Sequence, residues 1–73
     1  MPPIKVNKTV AFELDGEIFT TMPEAEIAVR RAVILAAIEE ELSSQATQDD
    51  VASLIARRWT EIKNRCDAAF AGI

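Results

Sequence analysis

Hydrophobic and polar residues alternate along residues 4–14. The apolar side chains occupy even positions: Ile4, Val6, Val10, Phe12 and Leu14. Only Lys8 interrupts them, and a period of two predicts a half-buried β-strand. Asp15-Gly16 follows and favours a two-residue hairpin turn, because a type I′ turn needs positive φ at both positions. Residues 17–21 are then the returning strand.

The register of this hairpin has two solutions. A two-residue loop places Phe12 opposite Phe19, so that both rings lie on one face of the sheet. A bulge at Gly16 would instead place Phe12 opposite Ile18. We favour the first register, because it lets the two large rings share one core.

Thr21 marks the start of the first helix. With Glu24 it fits a capping box, and Pro23 suits the first turn, where its missing N–H is not needed. We predict a helix over residues 22–43. Its central segment, residues 32–38, has no polar side chain on any side. We expect its larger side chains to supply the core: Ile34, Leu35, Ile38 and Leu42.

One side of this helix has no assigned cover. It carries Val29, Val33 and Ala37, and the predicted second helix and hairpin occupy the other sides. Two interpretations stay open: either the hairpin wraps over this side, or the side is exposed and binds a partner.

Thr47 and Asp50 give a second capping signal, and they predict a helix over residues 47–71. Its apolar residues recur at helical spacing, which indicates one buried face. They are Val51, Leu54, Ile55, Trp59, Ile62, Cys66, Ala69 and Phe70. The short polar connection over residues 43–46 makes the two helices antiparallel neighbours.

These elements predict a single small α+β domain over residues 1–73, with the order β-β-α-α. An N-terminal hairpin over residues 4–21 packs on an antiparallel two-helix hairpin, and residues 1–3 form a tail. The predicted core consists of Phe12, Phe19, Ile34, Leu35, Ile38, Leu54, Ile55, Trp59, Ile62 and Phe70.

The composition argues against catalysis, metals and cofactors. The chain has 73 residues, no histidine and one cysteine, Cys66. Histidine-dependent nucleophilic catalysis is therefore excluded, and so are an internal disulfide and a zinc site of typical ligands. The only glycines are Gly16 and Gly72, so there is no glycine-rich phosphate loop. We expect Cys66 to be a core thiol, and a chain of this size to lack a small-molecule pocket.

The net charge is −4, from 8 basic and 12 acidic residues. Because phosphate contacts dominate nucleic-acid affinity, an acidic small domain is not expected to bind DNA or RNA directly, nor an anionic membrane. The longest apolar run has seven residues, whereas a membrane span needs about 20. With no secretion signal and one free thiol, we expect a cytoplasmic protein.

Two charged segments each have two interpretations. "EEE" at residues 39–41 is either a solvated helix end or an acidic patch for a basic partner. Arg57 and Arg58 precede Trp59 and lie on the back of the second helix. They either balance neighbouring carboxylates or bind an acidic protein surface.

The first strand has an edge that a partner could use. Its backbone amides along residues 4–10 are either solvated and guarded by lysines, or they accept a partner strand by β-augmentation. The candidate partner-binding residues are Val6, Lys8, Val10, Arg57 and Arg58.

The segment "VAFELDGEIFTT" followed by two helices, in a chain of 73 residues, resembles small phage-encoded host-takeover proteins. Among these are transcription regulators, from phages of Xanthomonas, that bind host RNA polymerase. The resemblance implies a non-enzymatic regulator that contacts the N-terminal region of the polymerase β′ subunit. It would inhibit σ-dependent initiation and act in antitermination, in the host cytoplasm.

Two alternative functions stay open. "FELDGEIFTTMPE" is similar to the start of some phage tail-assembly chaperones, which implies a role in phage structure. The third hypothesis is a homodimeric structural or anti-defence protein, with "AVILAAI" at the subunit interface.

Overall fold

Three short antiparallel strands precede three helices in the computed structural model, which describes residues 4–8 and 11–71. The strands are β1 (Asn7–Lys8), β2 (Phe12–Leu14) and β3 (Glu17–Phe19), and they form one sheet in the order β1-β2-β3. The α+β class is therefore confirmed. The described residues form one strand and one helix more than the predicted β-β-α-α order.

The predicted first strand is in fact two strands. Asn7 pairs with Glu13 and Lys8 with Phe12, so the chain reverses between β1 and β2. The alternation of residues 4–14 did not predict this reversal, because no glycine or proline marks it. Lys8, which breaks the apolar pattern, places its Nζ 5.4 Å from the centre of the Phe12 ring. Val10 and the predicted tail, residues 1–3, lie outside the described residues.

The turn and the register of the second hairpin are confirmed. Asp15 has φ 49° and Gly16 has φ 84°, as a turn with two left-handed residues requires. Phe12 lies opposite Phe19. Both rings are half-buried and pack against the core.

The first helix, α1, spans Met22–Glu41, close to the predicted range. The Thr21 hydroxyl accepts a hydrogen bond of 3.4 Å from the backbone N–H of Glu24. At the other end, the N–H of Leu42 donates to the carbonyl of Ile38 over 2.8 Å.

The predicted second helix is broken at Arg58 into α2 (Gln48–Arg57) and α3 (Trp59–Ala69). Arg58 has φ −102° and ψ 21°, outside the helical range. The start of α2 is confirmed: Thr47 and Asp50 form a complete capping box, with bonds of 3.0 and 3.2 Å. Periodicity over residues 47–71 did not predict the break, because apolar residues continue at helical spacing across it.

The core lies between the sheet, α1 and α3. The side of α1 that faces this core carries Ala25, Val29, Val33 and Ala37, and all four are buried. No neighbouring element was assigned to this side from the sequence. These residues recur every four positions and are small, so the neighbouring elements approach α1 closely. Val6, Leu14, Ile62 and Ala69 complete the buried cluster around Val29 and Val33.

The predicted core is partly wrong. Leu54 and Ile62 are buried as expected, and six others are half-buried: Phe12, Phe19, Ile34, Ile38, Ile55 and Phe70. Leu35 is 40% exposed and Trp59 is 54% exposed. Leu35 faces outward because the small side of α1 packs inward. Trp59 is exposed because the inward face carries Leu54, Ile62 and Ala69, with the half-buried Arg58 between them, and Trp59 lies beside that face.

Leu54→Ala is expected to lower the free energy of unfolding by about 2–5 kcal/mol, because it leaves a cavity at a fully buried position. Urea denaturation measures the loss. Ile18→Ala is the control: Ile18 is 67% exposed, and the expected loss is below about 1 kcal/mol. Equal losses in the two variants would contradict the burial pattern.

Gly16→Ala is expected to destabilise the fold by about 1–2 kcal/mol, the cost of a left-handed backbone for an L-residue. A β-carbon there would meet no atom within 4 Å, so the cost is conformational rather than steric. Gly16→Asn should lose less, because asparagine tolerates this conformation. The same loss for both substitutions would argue against the left-handed turn.

Candidate functional site

The glutamates at the end of α1 pair with the arginines around the helix break. Arg58 donates to Glu40 over 3.2 Å and to Glu61 over 2.6 Å. Arg65 donates to the same two carboxylates, over 3.2 and 2.8 Å. Two arginines and two glutamates thus form a closed ring, which we call the Arg58 ring.

The Arg58 ring joins three positions in the fold. Glu40 is at the C-terminal end of α1, Arg58 is at the break, and Glu61 and Arg65 are on α3. The side chain of Arg58 is only 14% exposed. Beside the ring, Arg57 reaches Glu41 over 3.0 Å, which ties α2 to α1 as well.

The electrostatics of the ring favour its charged state. Hydrogen bonds from Arg65 and then Arg58 hold the pKa of Glu40 below its ordinary value. The bond from Arg58 is the main cause of the lowered pKa of Glu61. The same contact with Glu61 raises the pKa of Arg58. The carboxylates therefore stay ionised and the ring stays closed near neutral pH.

The four predicted partner-binding residues that the structure describes do not form one exposed surface. Arg57 and Arg58 form ion pairs within the chain, so the predicted basic face is already neutralised. Val6 is buried, and its N–H donates to the carbonyl of Ala69 over 2.9 Å. Lys8 is exposed beside Phe12, and Val10 lies outside the described residues.

The hydrogen bond between Val6 and Ala69 occupies part of the strand edge that was predicted to accept a partner strand. The C-terminal end of α3 satisfies the amide of Val6, which a partner strand would otherwise have bound. The edge strand opposite β1 is β3, and its Ile18 is exposed.

Trp59 lies in a groove between α1 and α3 that sequence reasoning missed. The groove has a volume of about 420 Å³. It is lined by Arg30, Ile34, Trp59, Ile62, Lys63, Cys66 and Asp67. We call it the Trp59 groove. No signal in the sequence locates it, because its lining comes from two helices that are distant along the chain.

The Trp59 groove has an apolar floor and a charged rim. Ile62 is buried and Ile34 half-buried, whereas Arg30 and Lys63 are exposed. Arg30 forms an ion pair of 3.1 Å with Glu26, one helical turn before it on α1, and both side chains are exposed to solvent. Burial raises the pKa of the Cys66 thiol, which keeps it protonated and a poor nucleophile.

A second groove lies between the second hairpin and the outer side of α1. Its volume is about 510 Å³. The lining residues on α1 are Glu24, Ile27, Ala28, Arg31, Ala32 and Leu35. Leu14, Asp15, Glu17 and Phe19 line it from the sheet. None of these residues lines the Trp59 groove.

Within residues 4–8 and 11–71, no three His, Cys, Asp or Glu side chains are grouped so that they could hold a metal ion. In the same part of the chain, no helix has the length and apolar character to cross a bilayer. No protein-family model, curated protein or solved structure matches this chain.

The Arg58 ring predicts a pH-dependent contribution to stability. The lowered pKa of Glu40 in the folded state means that its contribution is complete above 4.5, its ordinary value. This contribution is lost as the pH falls below that value. The difference in unfolding free energy between the native sequence and Glu40→Gln should therefore be constant near neutral pH and shrink in acid. Urea denaturation across a pH series measures it.

Glu39→Gln is the matched control. Among the described residues, Glu39 has no ion-pair partner, so its variant should follow the native protein across the pH series. A Glu40→Gln difference that does not change in acid would contradict a stabilising ring.

Proposed function

We propose that this protein is a non-enzymatic regulator that acts by docking on a larger protein through the Trp59 groove. The observation that carries the proposal is the exposure of Trp59, which is 54% accessible beside an apolar floor. Tryptophan and arginine are the residues most enriched among those that dominate binding energy at protein interfaces. Here Trp59 and Arg30 line one groove.

Energetics support docking at this position. Covering the exposed half of an indole removes roughly 100 Å² from water, which is worth about 2–3 kcal/mol. Because Cys66 and Ile62 lie in the same groove, the partner's side chain would also meet apolar surface below the ring. A well-placed contact here could therefore supply the central part of an interface.

The rim indicates the chemistry of the docked segment. Arg30 and Lys63 are exposed cations on opposite helices, and Asp67 is the one carboxylate in the lining. An apolar side chain flanked by a carboxylate fits such a groove. The net charge of −4 additionally favours approach to a partner whose surface is basic overall.

Bacterial RNA polymerase is the partner that we propose, on the resemblance of the sequence to phage-encoded host-takeover regulators. The proposed contact is the N-terminal region of β′, with inhibition of σ-dependent initiation and antitermination as the outcome. The absence of histidine and the protonated state of Cys66 support a role without catalysis. The proposed compartment is the host cytoplasm.

Trp59→Ala is expected to weaken binding to purified bacterial RNA polymerase by about tenfold or more, as for a residue at the centre of an interface. Biolayer interferometry measures the affinity, and promoter-dependent transcription in vitro measures the inhibition. Ile18→Ala is the matched control, since it removes an exposed apolar side chain outside the groove. It should bind and inhibit like the native protein.

Two results would contradict parts of this proposal separately. If the polymerase neither binds the native protein nor loses activity, the proposed partner is wrong, and capture of phage tail components would favour the tail-assembly alternative. If Trp59→Ala binds with native affinity, the groove is not the contact surface.

A further inference from the structure

We propose that the outer side of α1 binds a second copy of this chain, forming a two-fold symmetric dimer. The surface consists of Glu24, Ile27, Arg31 and Leu35, which we call the α1 seam. These residues are three, four and four positions apart, so they form one stripe along the helix. The seam shares no residue with the Trp59 groove.

The seam is apolar and exposed. Ile27 is 62% accessible and Leu35 is 40% accessible. The half-buried Ala28 and Ala32 lie beside them in the same groove. Small residues next to large ones let a second helix approach closely, because its large side chains fit over the alanines.

The charges of the seam favour a second copy of this chain as its binding partner. Within the described part of the chain, neither Arg31 nor Glu24 forms an ion pair, although six other pairs are present. They lie seven residues apart on one face, which is about 10.5 Å along the helix. The seam thus carries both a cation and an anion at matching positions.

A two-fold axis brings these charges together. In a two-fold symmetric contact, if residue i of one copy touches residue j of the other, then residue j of the first copy also touches residue i of the second. When two α1 helices pack antiparallel with the axis beside Ile27 and Ala28, each Arg31 faces the other copy's Glu24. Two ion pairs form from one kind of contact, and the two Ile27 side chains pack at the centre.

The charges also select this register over another. Sliding the helices so that Glu24 lies opposite the C-terminal end of the partner's α1 would place it near Glu39 and Glu41, and like charges repel. Asp15 and Glu17 line the sheet side of the same groove, outside the seam. A second copy therefore supplies the complement of every charge in the seam.

Charge reversal tests the dimer. The purified native protein should sediment as a concentration-dependent dimer. Arg31→Glu and Glu24→Arg should each weaken the dimer by about tenfold, because each creates two repulsive contacts. The double variant with both substitutions restores two ion pairs in the opposite sense and should recover most of the affinity. Circular dichroism confirms that each variant is folded.

Lys63→Glu and Glu13→Arg are the matched controls, since they make the same charge changes at exposed positions outside the seam and its groove. Both should sediment like the native protein. A native protein that stays monomeric up to about 1 mM would overturn the proposal. So would a dimer that the single reversals do not weaken, or one that the double variant fails to restore. The measurement uses this chain alone, so its result is independent of the partner proposed for the Trp59 groove.

Discussion

Arg58 and its two glutamates are the contact on which the rest of the structure depends. The backbone leaves helical geometry at this residue, yet its N–H donates to the carbonyl of Leu54 over 3.0 Å and its carbonyl accepts from the N–H of Ile62 over 2.9 Å. Glu40 and Glu61 both bind the guanidinium of Arg58, so an ion-pair ring lies next to the helix break. The ring joins the end of α1 to the first half of α3, and the far end of α3 brings Ala69 to Val6.

The ring also explains which hydrophobic residues remain outside. Arg58 is half-buried on the face that carries Leu54 and Ile62, and Trp59, one position round the helix, stays exposed. On α1, the valines and alanines take the close inner contact, and the larger side chains remain on the outer sides. The inward face of α1 therefore consists of small residues, and larger apolar side chains are left for two separate surfaces, the Trp59 groove and the α1 seam.

Features that depend on neighbouring residues were predictable from the sequence. The turn at Asp15-Gly16, the opposition of Phe12 and Phe19, and the capping box of Thr47 and Asp50 are all set within a few positions. Features that depend on how elements meet were not. Val29 and Val33 were left without an assigned cover because the larger isoleucines were expected to face inward, whereas close packing selected the smaller side.

The candidate site shows the same limit. Arg57 and Arg58 are correctly seen as charges near a helix surface, but their partners on α1 lie 16 and 18 residues away. No spacing rule within one helix connects them; only the pair of Arg58 with Glu61, three residues on, follows such a rule. Trp59 was assigned to the core because its spacing fits the apolar stripe of a straight helix. The buried positions, Leu54, Ile62 and Ala69, lie on a neighbouring side of the helix, which leaves Trp59 exposed.

The position of Trp59 has an optical consequence. It is the only tryptophan of the chain, and Cys66, the only cysteine, lines the same groove. Tryptophan emission from this protein therefore originates at one location, with a sulfur atom nearby and water on the open side. The chain carries its own fluorophore at the surface where we propose that it meets its partner.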